Sequence, residues 1–257
     1  MSSLPSAIAS GRREEHAQTG GEASTAARSH VGAVRSHNED RWLARPDRGL
    51  WAVADGMGGH RSGEVASDLL IEALGRIGPC DSGHALLTAV STEIRAVNDE
   101  LRSRARELAP GAVIGSTVVV LVVHDGHCAL VWAGDSRAYR LRRGRLELMT
   151  HDHRLVQELL DSGQITPEEA ARHPMANVIT RAVGVGDALE LDSRYEALEP
   201  GDLFLLASDG LTGAVADFEI ADIIATGTLE EAADGLLALS LSRGANDNVT
   251  FVLARPG

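Results

Sequence analysis

Residues 115–144 read GSTVVVLVVHDGHCALVWAGDSRAYRLRRG, and the fold class follows from how this stretch is punctuated. Three short segments, Thr117–Val123, Cys128–Ala133 and Arg137–Arg142, carry the β-branched and aliphatic side chains of extended strands. Asp125-Gly126 joins the first two in the manner of a tight hairpin, because these residues tolerate the positive φ of a two-residue turn. Together the three segments predict an antiparallel meander.

On the N-terminal side, Val31–Arg35, Arg41–Ala44 and Leu50–Ala54 read as strands divided by polar or Pro/Gly turns. Two amphipathic helices follow. Val65, Leu69, Ala73 and Ile77 recur every four positions, and Val90, Ile94, Val97, Leu101, Ala105 and Leu108 keep the 3.6-residue period. On the C-terminal side, residues 151–187 mix His, Pro and Gly without a clear period, and an irregular stretch of that length reads as a functional flap. Strands resume at Ser193–Ala197 and Leu203–Ala207, helices at Phe218–Ala225 and Leu229–Leu241, and Val249–Leu253 is a last strand. Strands in runs and helices in pairs predict an α+β fold of antiparallel sheets covered by helices, against alternating βαβ units. Residues 1–28, rich in Ser, Ala, Gly, Arg and Glu without apolar periodicity, read as a mobile N-terminal extension, and 29–257 as a single domain.

The chain of 257 residues is long enough for a substantial core and is no disulfide-stapled miniature. Its 24 basic and 37 acidic residues give a net charge of −13, which disfavours a nucleic-acid or anionic-membrane partner. The longest aliphatic run, Val118 to Val123, is six residues, far short of the roughly 20 that cross a bilayer. Cys80 and Cys128 form no Cys-x-x-Cys pair, so neither a thiolate metal site nor a disulfide framework is expected and a reducing cytoplasm is the default.

The chemistry is carried by aspartates at strand ends. Asp55 follows the apolar run Leu50–Ala54 and precedes Gly56; Asp209 follows Leu203–Ala207 and precedes Gly210; Asp247 stands just before Val249–Leu253; Glu39 and Asp40 flank another strand. Asp-Gly is a common turn dipeptide, so no one of these positions carries the reading alone, and Asp125 stays a turn residue; the joint recurrence carries it. If the strand ends converge, each pair of carboxylates within a few ångströms costs about 4 kcal/mol at an effective dielectric of 20. Such a cluster holds protons or cations. All-oxygen donors without Cys or His select Mg²⁺ or Mn²⁺ over Zn²⁺. Two such ions sharing a carboxylate can generate hydroxide near neutral pH and stabilise attacking and leaving oxygens, which is what phosphoryl hydrolysis needs.

The segments VRSHNEDR (34–41), VADGMGGH (53–60), GSTVVVLVV (115–123), WAGDSRAYRLRRG (132–144), GDLFLLASDGLTG (201–213) and NDNVTFVL (246–253) resemble, in order, the motifs of the metal-dependent serine/threonine protein phosphatases of the type 2C family in its compact bacterial form. The resemblance implies a four-layer α-β-β-α sandwich, two antiparallel sheets flanked by helix pairs, with two Mn²⁺ or Mg²⁺ ions in the channel between the sheets. It implies that Asp55 bridges the ions, that the Gly56 carbonyl binds the second, that Asp209 and Asp247 complete the first, and that Glu39 serves the second directly or through water. Asp40 would order water on the ions, and Arg35 would fork onto two oxygens of the substrate phosphate. Asp135, in the Gly134-Asp135-Ser136 turn, is either a turn aspartate or the residue that helps hold a third ion. Met57 stands where a His is proposed as general acid in many eukaryotic members, and a thioether donates no proton; metal-bound water, then His60, are the replacements.

His151-Asp152-His153 is a weak metal pair, since adjacent side chains diverge, and reads instead as part of the flap with Asp152 as an N-cap. Asp-Gly-Met-Gly-Gly-His lacks the Gly-Lys-Ser/Thr of a nucleotide loop, and no Gly-x-Ser-x-Gly elbow offers a serine nucleophile. The resemblance implies hydrolysis of phosphoserine and phosphothreonine by a hydroxide bridging two ions, reversing a bacterial Ser/Thr kinase, in a monomer without nucleic-acid or membrane partners. The competing expectation is a catalytically idle phosphoprotein-binding module of the same fold.

Overall fold

Period-two alternation in the strands distributes the apolar side chains among three hydrophobic cores. In the computed structural model, which describes residues 23–58, 62–186 and 188–257, the strand Leu50–Gly58 sends Leu50, Ala52 and Ala54 to one side and Trp51 and Val53 to the other. The elements in chain order are β1 (Ser24–His30), β2 (Asp40–Arg45), β3 (Leu50–Gly58), α1 (Ser62–Gly75), α2 (Gly83–Leu108), β4 (Ile114–Ser116), β5 (Val118–His124), β6 (His127–Ala133), β7 (Arg137–Arg142), β8 (Arg145–Leu148), α3 (Leu155–Asp161), α4 (Pro167–Ala170), β9 (Asp192–Ala197), β10 (Leu203–Ala207), α5 (Asp209–Thr212), α6 (Asp217–Ile224), α7 (Leu229–Ser242) and β11 (Val249–Arg255).

These strands form two antiparallel sheets. One runs β1-β11-β10-β7-β8; the other runs β2-β3-β5-β6-β9, with β4 beside β3. The second sheet packs Ala52, Val118, Val120 and Val131 against Leu70 and Leu74 of α1 and Val90, Ile94 and Leu101 of α2. The first packs Leu205, Phe251 and Leu253 against Leu211, Ile220 and Leu236 of the C-terminal helices. Between the sheets lie Trp51, Val119, Leu121 and Leu130 from one side and Phe204, Leu206 and Val252 from the other. Three cores between four layers make the α-β-β-α sandwich. Each large side chain buried there contributes about 1.5–3 kcal/mol of transfer free energy, and Trp51 Nε1 adds a 2.8 Å hydrogen bond to Thr25 Oγ1 across the layers.

Several sequence expectations need correction. Residues 24–28, read as part of a mobile extension, belong to β1, which pairs with β11 from Ser24↔Arg255 to His30↔Val249. The order of β1 comes from this long-range ladder and from Arg28, paired to Glu230 at 2.6 Å and Asp234 at 2.7 Å, and no local apolar period announces it. Residues 1–22 lie outside the described residues. The predicted strand Val31–Arg35 is a turn-rich loop. It is wrapped against the start of β11, where Gly32 has φ +80° and a Cβ there would meet the Asp247 carbonyl at 2.2 Å.

The predicted meander is also broken. β5 and β6 pair as expected around Asp125 (φ 46°) and Gly126 (φ 71°), but β7 leaves for the other sheet and pairs with β10 and β8. Gly134-Asp135-Ser136 is therefore a crossover between the sheets. Asp152 caps no helix: it holds Arg137 through two hydrogen bonds of 2.9 and 2.8 Å. No described helix is long and apolar enough to cross a membrane.

Candidate functional site

The alternation that builds the inter-sheet core also builds the site. Trp51 and Val53 of β3 face the opposite sheet, and the next residue on that face is Asp55. Its cross-strand partner on β2 is Asp40. On the opposing sheet the same step carries Phe204 and Leu206 of β10 to Ser208, and β11 contributes Thr250 beside it. At one end of the sandwich the apolar filling thus gives way to acids and hydroxyls. Thr117 seats Asp55 there: its Oγ1 accepts from the Asp55 amide at 3.2 Å and shares a 2.7 Å bond with Ser136 Oγ.

The other acids arrive from loops held at this end. Asp209 opens α5, brought close to β11 because Gly210 has no side chain: a Cβ there would lie 1.9 Å from the Asn248 carbonyl oxygen. Asn248 ties the 31–39 loop in place, donating to the Val31 and His37 carbonyls at 2.9 Å each and accepting from the Glu39 amide at 2.8 Å. Glu39 lies over the first turn of α1, where Gly63 is so close to Gly56 and Glu39 that a Cβ would meet the Glu39 carboxyl carbon at 2.8 Å. Asp135 comes from the crossover and is buried. Arg35 is half exposed and donates from Nη2 to Asp247 Oδ2 at 2.8 Å.

Electrostatics ties these residues into one cluster. Burial, then the charges of Asp40, Asp209, Asp135 and Asp247, hold the Asp55 carboxyl well above the usual carboxylate range. Burial outweighs the Ser208 hydroxyl and, with the Asp209 and Asp247 charges, pushes Asp40 up to about 7. Burial and Asp135 push Asp209 up to about 6 against the pull of Arg154. Burial raises Glu39 against the charge of Arg35. Asp40 Oδ2 accepts from Ser208 Oγ at 2.8 Å, while its Oδ1 is buried with no hydrogen-bond partner. An orphaned carboxylate oxygen among like charges, with oxygen donors throughout, fits a hard divalent cation. Among the described residues no group of three or more His, Cys, Asp or Glu side chains is arranged to hold a metal ion as it stands; Arg35 is paired to Asp247, and Arg154 to Asp135 and Asp209.

All the described acids expected from the sequence are therefore at one end of the sandwich, Glu39 on its α1 side. Met57 lies on β3 opposite Gly115; His60 lies outside the described residues. The sequence reading missed Ser208, Asn248 and Arg154. Ser208 was legible as the next inter-sheet position after Phe204 and Leu206, and Asn248 as the residue after an acidic strand end; nothing local marks Arg154. A cavity of about 550 Å³ lined by His84, His124, His127 and Tyr195 lies at the opposite end of β5 and contains none of the expected acids.

Fold and site define a class: an α-β-β-α sandwich with an oxygen-donor, cation-fitting mouth between its sheets. The chain belongs to the protein phosphatase 2C family, whose pattern it matches over residues 26–238. The serine/threonine protein phosphatase PstP of Mycobacterium tuberculosis is 40% identical over 230 residues, 89% of this chain and 44% of PstP, so the chain spans less than half of that relative. A solved structure described as PppA, a key regulatory component of T6SS in Pseudomonas aeruginosa, is 42% identical with a TM-score of 0.85, covering 92% of this chain and 98% of that one. The catalytic domain of PstP in complex with two manganese ions is 39% identical with a TM-score of 0.77, covering 90% of this chain and 97% of that domain.

Proposed function

We propose that this chain is a protein serine/threonine phosphatase that uses two Mn²⁺ or Mg²⁺ ions. The observation that carries the reading is the meeting of Asp40, Asp55, Asp209 and Asp247 at the mouth between the sheets, with a buried Asp40 oxygen lacking any donor. Asp55 would hold both ions, Asp209 and Asp247 the first, and Glu39 with the Gly56 carbonyl the second. When bound, the ions supply an activated water and neutralise phosphate charge.

The protein's own residues do the rest. Asp40, held by the Ser208 hydroxyl, would order water there when the ions are bound. Arg35 at the rim exchanges its pairing with Asp247 for the incoming phosphate, to which a guanidinium presents two parallel N–H groups. The described residues 151–186, whose Arg154 reaches Asp135 and Asp209, would act as a flap that selects among phosphoproteins. A bacterial Ser/Thr kinase and its substrates are the counterparts, in the cytoplasm, with the chain acting as a monomer. The idle binding module is disfavoured because no acid of the expected set is replaced.

The test is hydrolysis of a phosphothreonine peptide with EDTA, with added Mn²⁺, and by Asp209→Asn with Mn²⁺. Only the unaltered protein with Mn²⁺ should turn over, with the variant down at least about 100-fold. Equal turnover in EDTA, or an unimpaired variant, refutes the reading.

A further inference from the structure

Arg154 and its partner Asp135 stand at this end of the sandwich without a part in the proposed hydrolysis. Arg154 precedes α3 at the base of the 151–186 segment, and its backbone is clamped there: the Leu155 amide donates to the Val178 carbonyl at 2.9 Å and the Thr180 amide to the His153 carbonyl at 2.8 Å. The two preceding residues are anchored as well, Asp152 by Arg137 and His153 by the Gly134 amide, which donates to its Nδ1 at 3.1 Å. The Arg154 side chain is thereby aimed into the acidic mouth. Nε lies 2.5 Å from Asp135 Oδ2 and Nη2 lies 3.0 Å from Asp209 Oδ2, with the side chain 19% exposed.

We propose that the Arg154 guanidinium, set on both Asp135 and Asp209, is a built-in cation that takes the place of the third ion Asp135 would otherwise help to hold, so that this chain binds two divalent cations. The proposal rests on the metal reading above. Charge supports it: Glu39, Asp40, Asp55, Asp135, Asp209 and Asp247 are balanced by two guanidiniums and two divalent ions, and a further ion beside Arg154 would leave uncompensated positive charge in a largely buried site. Chemistry supports it too. A guanidinium keeps its charge at any working pH and is planar, so one side chain can bridge oxygens of two carboxylates. Fixing that cation covalently makes it independent of the metal supply.

The experiment is Mn²⁺ stoichiometry by calorimetry and by equilibrium dialysis on the full chain near neutral pH, with circular dichroism to confirm folding. The native protein should bind two ions, Arg154→Ala and Arg154→Gln three, Arg154→Lys two, and Arg154→Ala combined with Asp135→Asn two again. Three ions on the native protein, or two on both neutral variants, overturn the proposal and leave the metal reading standing. No Mn²⁺ bound by the native protein overturns both.

Discussion

Asp40 shows at the scale of one residue how function is set against stability. The residue is 2% exposed, one carboxyl oxygen is held by Ser208, the other has no donor, and Asp209 and Asp247 repel it. Such a group is costly to bury in its charged form and is retained for what it binds. Asp40→Asn removes the charge at nearly constant shape. In EDTA near pH 8 the variant should melt roughly 2–4 °C above the native protein, because relieving about 1 kcal/mol moves a chain of this size by that much. Its Mn²⁺ affinity should fall about 10–100-fold, the usual loss when a group supporting a metal site is altered. Scanning calorimetry and a Mn²⁺ titration check the two halves; an unchanged affinity would separate Asp40 from the ions.

At the scale of the element, the short crossover from β6 to β7 is what makes two sheets from one predicted meander. Gly134 turns the chain with φ +114°, and a Cβ there would stand 2.5 Å from Thr117 Cβ. No other residue type suits both the backbone and the space. Thr117 in turn accepts from the Asp55 amide and bonds Ser136, so the crossover and the acidic mouth share one packed contact. Gly134→Ala should cost about 2–4 kcal/mol from the left-handed backbone and the overlap together, read as a lower urea midpoint with an unchanged m-value. A midpoint like that of the native protein would mean that the crossover relaxes freely. Away from this turn, Arg140 on β7 pairs with Glu147 on β8 at 2.8 Å, and Arg194 on β9 reaches the same Glu147 at 2.7 Å, so a charged network spans both sheets.

For the whole molecule, the concentration of acids at one end makes stability depend on pH in opposite ways with and without cations. Asp40 near 7, Asp209 near 6 and the raised Asp55 all bind protons in the folded chain at a pH where the unfolded chain has released them. Their contribution is complete below the unfolded carboxylate range and is lost as pH rises through the folded values. Metal-free protein should therefore lose roughly 2–6 °C of melting temperature between about pH 6.5 and pH 8. His153, whose pKa burial lowers, acts against this only below about 6.5, where the unfolded imidazole charges. With saturating Mn²⁺ the slope should reverse, since cation binding displaces those protons. Melting curves in EDTA and in Mn²⁺ across this range test it, and parallel slopes would rule out carboxylate ligation.

Sequence alone was enough for the strands and helices with strong periodicity, for the α+β class, and for the acids that stand at strand ends, because period-two and period-3.6 patterning are local and Asp after an apolar run is visible wherever it occurs. The resemblance of six ordered motifs supplied the sandwich. Only the tertiary structure placed β1, sent β7 to the other sheet and set Arg154 on Asp135 and Asp209. Those features depend on partners separated by tens to hundreds of residues: β1 is ordered by the far end of the chain, Gly134 by the side chain of Thr117, and Arg154 by two acids that become its neighbours only after the sheets have stacked. Local propensity carries no trace of such contacts, since the free energy that decides them is gained when distant segments are buried together.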